Sequence, residues 1–266
     1  IYDCNSTELL HHFQCPGGKL FNLRNIVASR NENYLFASGE NMNFIYCLDY
    51  SIISKGEKAN ELFNNKIALP KDSKIYDIVL HPQQKFIFAG FADGYVRIYD
   101  YSDIKKIKEV TQIIDMPEEK EKEKEKEKAK TSRLSLTGTA NPVVIDPDPV
   151  TCLDINNFGT YLLEGTDKGN IYLWDASKAI KKEKLFYQKE NIGDKNIVDN
   201  IFSCKFIKTK QFGNMQKFIC ITKKGTLFIY FILSKDTNEE NNKSKKKPEK
   251  KLLMEFAKNL NDYVPL

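Results

Sequence analysis

Histidine is scarce in this sequence, with three residues in a chain of 266. His11 and His12 are adjacent, so in a strand their side chains point to opposite faces and do not chelate one ion together. His81 precedes Pro82 in a turn-like stretch, where a structural role is favoured over acid–base catalysis. The chain also lacks GxSxG, P-loop, HExxH and strand-linked GxGxxG motifs. We therefore expect no catalytic, metal-binding or cofactor-binding residues, and no enzymatic activity.

Clustered cysteines are absent, because none of the six lies in a CxxC pair. This spacing fits neither a zinc site nor a disulfide framework. The cysteines are scattered along the chain: Cys4, Cys15, Cys47, Cys152, Cys204 and Cys220. We expect Cys152 and Cys204 to occupy matching positions of matching strands. The pattern favours small buried thiols in a reducing compartment.

A large excess of one charge is also missing, since 41 basic and 36 acidic residues give a formal net charge of +5. The stretch from Lys243 to Lys251 accounts for that excess. Its lysines are Lys243, Lys245, Lys246, Lys247, Lys250 and Lys251. Such a run is usually a solvated tail or a localisation signal, and contact with a partner or an acidic surface is the functional alternative. The remaining chain is balanced, so a nucleic-acid partner is not expected.

Long hydrophobic runs are missing as well. The sequence contains no signal peptide and no membrane-spanning run, so a membrane partner is not expected. The chain begins with Ile1 rather than Met, and we expect further sequence to precede it. Targeting by such a segment therefore stays open.

A repeated short stretch organises the sequence. Residues 164–175, EGTDKGNIYLWD, contain a glycine, a polar turn and an apolar run closed by Trp174-Asp175. The design recurs in residues 37–49, 88–100 and 221–231, and Ile1-Tyr2-Asp3 is an incomplete copy. Self-similarity at a fixed scale indicates a repeat architecture.

The repeats align when the ends of their apolar runs are matched. The run ends then coincide at Asp49, Asp100, Asp175 and Phe231. Gly39, Gly90 and Gly165 form one column of this alignment. Asp93 and Asp167 lie in the turns, where Asp is a turn-forming residue first and a ligand second.

Each repeat has the pattern of a β-hairpin, with a glycine-containing turn between two short apolar runs. In residues 171–174 every position is apolar or aromatic, which is typical of a strand buried on both faces. A further apolar run precedes each hairpin, at Ile75–Leu80, Val150–Ile155 and Ile201–Ile207, and a fourth often follows. Four-stranded antiparallel units that repeat are blades of a β-propeller. We predict an all-β fold with about four complete blades.

The units resemble WD repeats, in which an Asp lies in the turn and the next strand ends in Trp-Asp. IYLWD is the best match, and IYD and CLD are weaker variants. The Gly-His dipeptide of strong WD repeats is absent, so their buried histidine network is not expected here. The repeat-signature residues are Asp3, Gly39, Asp49, Gly90, Asp93, Gly94, Tyr99, Asp100, Gly165, Asp167, Gly169, Trp174, Asp175 and Gly225. The resemblance implies a WD-repeat β-propeller, with Tyr99 and Trp174 wedged between blades.

The predicted units occupy residues 1–18, 19–70, 71–117, 150–190 and 200–234. A charged insertion covers residues 118–149, and Glu118–Lys130 within it alternates Glu and Lys. With Ala129 as its single apolar residue it cannot join a core, so we interpret it as solvated. Residues 235–266 are a Lys- and Asn-rich tail that includes a candidate strand, Leu252–Phe256, for a further blade.

Strands without partners stand at both ends of this pattern, at Ile1-Tyr2-Asp3 and at Leu252–Phe256. Propellers usually protect their edges by closing into a ring. We therefore expect an open arc, a partial propeller whose ring is completed by other sequence and whose exposed faces favour self-association.

A stacked β body without a catalytic cluster offers only its surfaces, so a non-catalytic scaffold that binds other proteins is favoured. No small-molecule substrate is expected. The alternative is a nuclear or nucleolar WD-repeat assembly factor in RNA or ribosome processing, which only the Lys243–Lys251 run supports. An enzyme with an unrecognised site is disfavoured.

Within the scaffold class, residues 80–100, LHPQQKFIFAGFADGYVRIYD, resemble blades of cilia- and flagella-associated WD-repeat proteins. There a His-Pro turn precedes a strand ending in Gly-Phe-x-Asp, here Gly90-Phe91-Ala92-Asp93. This resemblance implies a subunit of a larger WD-repeat assembly in the cytoplasm, at the cilium or axoneme cytoskeleton. The nucleus is the alternative compartment.

Deleting residues 118–130 should change the free energy of unfolding by no more than about 0.6 kcal/mol, because shortening a long surface loop changes its closure entropy little. Urea unfolding followed by circular dichroism measures the difference from the parent chain. Protection of this segment in hydrogen exchange would contradict the interpretation, since it would indicate a docked helix.

Overall fold

The computed structural model describes ten stretches of the chain. They are residues 22–30, 32–40, 42–51, 65–71, 73–113, 148–181, 187–191, 199–207, 215–233 and 254–256. The expectations for residues 1–18, for Glu118–Lys130 and for Lys243–Lys251 lie outside the described residues.

Within these stretches the chain forms four antiparallel sheets of four strands, each a meander in chain order. We call the sheets blades A to D, and we call the first strand of each its inner strand. Blade A contains β1 (Asn22–Ala28), β2 (Tyr34–Glu40), β3 (Phe44–Asp49) and β4 (Asn65–Ala68). Blade B contains β5 (Ile75–Leu80), β6 (Phe86–Phe91), β7 (Val96–Asp100) and β8 (Lys108–Ile113).

Blade C contains β9 (Val150–Ile155), β10 (Tyr161–Thr166), β11 (Asn170–Asp175) and β12 (Tyr187–Asn191). A short helix, α1 (Ala176–Ile180), joins β11 to β12 and was not expected from the sequence. Blade D contains β13 (Ile201–Phe206), β14 (Met215–Thr222), β15 (Leu227–Leu233) and β16 (Met254–Phe256). The prediction of four-stranded antiparallel blades is confirmed.

The blades follow one another in chain order and pack face to face. Inner strand β1 contacts β5, β5 contacts β9 and β9 contacts β13. The four sheets do not close into a ring, so the described part of the chain is an open, partial propeller, as predicted.

Among the residues described here, the core consists of three apolar clusters, one in each seam between consecutive blades. Successive residues of one strand serve different seams. On β11, Tyr172 and Trp174 pack against blade B, whereas Ile171 and Leu173 pack against blade D. This arrangement explains the absence of polar alternation in these strands, because neither face meets water.

In blades A, B and C, the Asp at the end of the third strand fixes the corner that follows it. Asp49 accepts hydrogen bonds from the backbone nitrogen and hydroxyl of Ser51, at 2.9 and 2.6 Å. Asp100 accepts from the backbone nitrogen of Ser102 at 2.8 Å. Asp175 instead caps α1, accepting from Lys178 N at 3.1 Å and from the Ser177 hydroxyl at 2.6 Å. The common pattern is Asp-x-Ser, a local corner motif that the sequence analysis missed.

Trp174 lies in the seam between blades B and C with 1% of its surface exposed. Its ring nitrogen donates a 2.6 Å hydrogen bond to Glu164 on the neighbouring strand β10. The ring also stacks on Tyr172, with centroids 5.7 Å apart. The residue thus combines a large apolar surface with a buried polar contact, and both are lost together on truncation.

Trp174→Ala should lower the free energy of unfolding by about 3–5 kcal/mol, because it leaves a large cavity in a dry seam. Urea unfolding followed by circular dichroism is the measurement, since the chain has one tryptophan and the variant loses its fluorescence probe. Phe158→Ala is the matched control, because that ring is 47% exposed and its removal should cost far less. Equal losses for the two variants would contradict the assignment of Trp174 to the core.

Candidate interaction site

Each inner strand contains a β-bulge at the same place. The register between the first and second strands of each blade skips one residue, which is Arg24 in β1, Tyr76 in β5, Thr151 in β9 and Phe202 in β13. A bulge re-aims the side chain that it inserts. The four bulges therefore present four side chains from four blades at equivalent positions.

These four side chains line one cleft of about 380 Å³, together with Pro149, Asp167, Ile201 and Lys223. Phe202 is 63% exposed, which is unusual for a ring among strands that are otherwise buried. The guanidinium of Arg24 lies 5.0 Å from the ring centre of Tyr76. The Thr151 hydroxyl donates to the carbonyl of Ile201 at 2.6 Å and so fastens blade C to blade D.

Asp167 and Lys223 form the rim of this cleft between blades C and D. Lys223 donates to Asp167 at 2.9 Å, and the side-chain amide of Asn200 donates to the same carboxylate oxygen at 2.6 Å. The hydrogen bond from Lys223 is the main reason that the pKa of Asp167 is lowered, while partial burial opposes it. Both charged groups are exposed enough to exchange this pair for contacts with a ligand.

Glycines at positive φ shape the turns beside the cleft. Gly94, Gly169 and Gly225 have φ values of 79°, 80° and 86°, and each is the last residue of a three-residue hairpin turn.

The sequence alignment of Gly39 with Gly90 and Gly165 does not hold in the register. Gly39 pairs with Leu23, whereas Gly90 and Gly165 pair one step further from the turn, because the blade A turn has a different length.

The two turn aspartates also occupy different positions. Asp93 is the middle residue of its turn and is held by a two-pronged interaction with Arg97, at 3.1 and 2.6 Å. Arg97 is itself buried and lies 4.3 Å from the ring centre of Phe91. Asp167, by contrast, is the first residue of its turn and faces Lys223. Asp93 thus has a structural role, whereas Asp167 belongs to the cleft.

The turn of one blade rests on the segment that enters the next blade. A Cβ at Gly169 would lie 2.8 Å from the carbonyl oxygen of Asp199, and one at Gly94 would lie 3.1 Å from that of Asp148. Asp148 also accepts from Lys168 N at 2.9 Å and from the Asn170 side chain at 2.7 Å. Gly225 has no atom within 4 Å of such a Cβ. The difference follows from position, because no described segment beyond blade D lies beside this turn.

A second cleft, of about 480 Å³, lies along the inner strands and is lined by Arg24, Arg30, Asp77, Asp154 and Lys205 among others. Its carboxylates are already used to join blades. Asp77 accepts from Leu153 N at 2.8 Å and Asp154 accepts from Phe206 N at 2.7 Å. Burial raises the pKa of Asp77, although the hydrogen bond from Leu153 acts to lower it. We interpret the carboxylates of this cleft as seam contacts rather than as a catalytic pair.

His81 is likewise a seam residue. Its Nδ1 accepts from the backbone nitrogens of Gln83 and Gln84, so Nε2 carries the proton and donates to the carbonyl of Gly159 at 3.1 Å. Burial lowers the pKa of the ring. Gly159 has a φ of 68°, and a Cβ there would overlap the His81 ring. The structural interpretation of His81 therefore fits its surroundings.

Tyr99, like Trp174, is wedged between blades, in the seam of blades A and B. Its pKa is raised mainly by burial.

Asp3 and the six lysines of residues 243–251 lie outside the described residues. Among the residues that the structure describes, no group of three or more His, Cys, Asp or Glu side chains is arranged to hold a metal ion. In the same part of the chain, no helix is long and apolar enough to cross a membrane.

Comparison with known proteins agrees with this architecture. Residues 67–100, which contain β5 to β7, match the family model of the WD domain, G-beta repeat. No curated protein matches the sequence significantly. The β-propeller domain of Cps50 (Swd1) from Myceliophteria thermophila has a TM-score of 0.55 at 13% identity, over 90% of this chain and 58% of that chain.

Two structures of Sqt1 from Chaetomium thermophilum are also similar. One shows Sqt1 bound to the N-terminus of the ribosomal protein L10, and the other is a structure of Sqt1. Each comparison gives a TM-score of 0.54 at 12% identity over 78% of this chain, and over 46% and 44% of the respective Sqt1 chains. This chain therefore spans about half the length of the structures it matches. At these identities the likeness shows the fold, a β-propeller, and the match over β5 to β7 supports the WD-repeat family.

Gly169→Ala should lower the free energy of unfolding by about 2–3 kcal/mol, and Gly225→Ala by only about 1–2 kcal/mol. Both variants force an L side chain into the left-handed region, which costs about 1–2 kcal/mol. Only at Gly169 does the new Cβ also meet a backbone carbonyl. Urea unfolding of the two variants side by side measures the difference. Equal losses would show that the turn of blade C does not rest on the segment entering blade D.

Proposed function

We propose that this protein is a non-catalytic scaffold that binds another protein through the cleft of the four bulge residues. The observation that carries the proposal is the exposed ring of Phe202, presented at the position that Arg24, Tyr76 and Thr151 occupy in the other blades. Aromatic and arginine side chains are the residues most enriched at protein interfaces.

A protein partner suits this cleft better than a small molecule does. The cleft is lined by side chains from all four blades rather than enclosed by one, so it offers a broad surface. The rim pair of Asp167 and Lys223 supplies polar contacts around the exposed ring, in the manner of an interface rim. WD-repeat propellers are generally scaffolds without catalytic residues, and the cleft contains no nucleophile paired with a base.

The narrower assignment is a subunit of a multiprotein WD-repeat assembly, in the cytoplasm and at the cilium or axoneme. Its support is the resemblance of residues 80–100 to blades of cilia- and flagella-associated proteins. The structure assigns these residues to β6, β7 and the His81 turn of blade B. This part of the proposal depends on sequence resemblance alone.

The second candidate is a nuclear or nucleolar assembly factor in RNA or ribosome processing. The observation that favours it is the similarity to Sqt1, a propeller solved with the N-terminus of a ribosomal protein bound. At 12% identity this similarity shows the fold alone, and the bound ribosomal-protein N-terminus is a property of Sqt1. The lysine run of residues 243–251 is the sequence feature that would act as the localisation signal or partner contact of such a factor.

Phe202→Ala should weaken partner binding at least about tenfold, because truncating a central aromatic anchor often costs 2 kcal/mol or more. The measurement is quantitative affinity purification with mass spectrometry from cells of origin, comparing the parent chain with the variant. Phe158→Ala is the matched control, since it removes an exposed ring from the β9–β10 turn, outside the cleft.

A set of proteins lost with Phe202→Ala but retained with Phe158→Ala supports the proposal and identifies the assembly. Axonemal proteins in that set favour the first candidate, and ribosomal or nucleolar proteins favour the second. Identical capture by all three chains would overturn the assignment of the cleft as the binding surface.

A further inference from the structure

Two cysteines meet in the seam between blades C and D. The sulfur of Cys152 on β9 lies 3.3 Å from the sulfur of Cys204 on β13, and both side chains are buried. The sequence alignment placed these residues at equivalent positions, which is wrong. Cys152 pairs with Gly165 next to its bulge, so its equivalent in blade D is Ser203, which pairs with Ile221. The offset of one residue is what allows the two side chains to face each other.

The surroundings hold the two sulfurs together. A Cβ at Gly165 would lie 2.7 Å from the sulfur of Cys152 and 2.5 Å from a methyl of Ile201, so only glycine permits this close approach. The hydroxyl of Thr151, next to Cys152, donates to the Ile201 carbonyl at 2.6 Å and ties the two inner strands. The sulfur of Cys204 also lies 3.8 Å from the carbonyl oxygen of Cys152. The pair is thus fixed by a strand-to-strand contact rather than by flexible side chains alone.

We propose that Cys152 and Cys204 are a latent disulfide that, on oxidation by a peroxide, covalently joins blade C to blade D. One thiolate attacks hydrogen peroxide, and the O–O bond breaks to give a sulfenic acid and water. The second sulfur then attacks the sulfenic sulfur, the S–O bond breaks, and a second water leaves as the S–S bond forms. Two thiols are oxidised, one peroxide is reduced to two waters, and two thiol protons are transferred to the oxygens.

Burial sets the rate of this reaction. The pKa of Cys204 is raised well above its ordinary value, first by burial and then by its contact with Cys152. Because the thiolate is the nucleophile, the closed seam protects the pair, and the reaction requires transient opening between the two blades. In the part of the chain that the structure describes, blade D packs against blade C alone.

Cys220 provides the internal control. It lies on β14, directly opposite Cys204 in the register of blade D, and it is also buried. A link between Cys204 and Cys220 would stay within blade D and would not join two blades. Trypsin separates the three cysteines, because Arg133, Lys168, Lys195, Lys205, Lys217 and Lys223 place them in residues 134–168, 196–205 and 218–223.

The experiment treats the 266-residue chain with hydrogen peroxide, blocks free thiols with iodoacetamide in urea, and maps tryptic peptides without reduction. We expect residues 134–168 to be linked to residues 196–205, and the Tm to rise by about 10 °C in a manner that dithiothreitol reverses. Cys220→Ala should keep both the link and the rise. Cys152→Ala and Cys204→Ala should each lose both, even where their starting Tm is lower.

Two results would overturn the proposal. The first is a link of residues 196–205 to residues 218–223 in place of the expected one. The second is retention of free thiols at Cys152 and Cys204 after peroxide has oxidised the chain's other cysteines. Because the peptide map reads the bond directly, a destabilised variant does not confuse the outcome. Partner binding by the cleft is measured separately, so failure of either proposal leaves the other testable.

Discussion

Burial of both faces of the strands between blades is the constraint on which this structure depends. One strand must satisfy two seams at once, as β11 does with Tyr172 and Trp174 on one side and Leu173 on the other. The hydroxyl of Tyr99 is buried without a hydrogen-bond partner, but an unpaired buried group costs free energy, so a buried polar residue in a seam generally requires a partner at hydrogen-bond distance. The bond from Trp174 to Glu164 meets this requirement. The apolar clusters and the polar contacts are therefore parts of one packing solution.

The inner strands carry a second constraint. Each is the first strand of its sheet and pairs with the second strand only, so one of its two edges has no strand beside it. An unpaired strand edge leaves backbone groups without partners. Here a polar side chain of one blade reaches the backbone of the next. Asn25 donates to the Tyr76 carbonyl at 3.0 Å, and Asp77 accepts from Leu153 N. These two contacts run from one blade to the next blade in the chain, whereas Lys205 of blade D donates back to the Leu153 carbonyl of blade C at 2.9 Å.

Local pattern was enough to predict the strands, because apolar runs and turn glycines depend on a few neighbouring residues. It was not enough to predict the bulges. A bulge inserts one residue into a strand without disturbing the apolar run around it, so Cys152 and Cys204 looked equivalent when they are one step apart. The same limit hid the exposure of Phe202, which no hydrophobicity pattern distinguishes from a core ring. The corner motif of Asp100 and Ser102 was legible in the sequence, but its role needed the geometry.

The contact pattern has a mechanical consequence. In the part of the chain that the structure describes, the main contacts between sheets join blades that are consecutive in the chain, so the arc behaves as a one-dimensional array of coupled units. A force applied to β14 would detach blade D and expose the apolar residues of one seam, such as Phe218, before blade B experienced any strain. Cooperativity in such an array is set by the weakest boundary rather than by total buried area. How far a local disturbance spreads along the arc is therefore set by the stability of single seams. One or two side chains can change the stability of a seam.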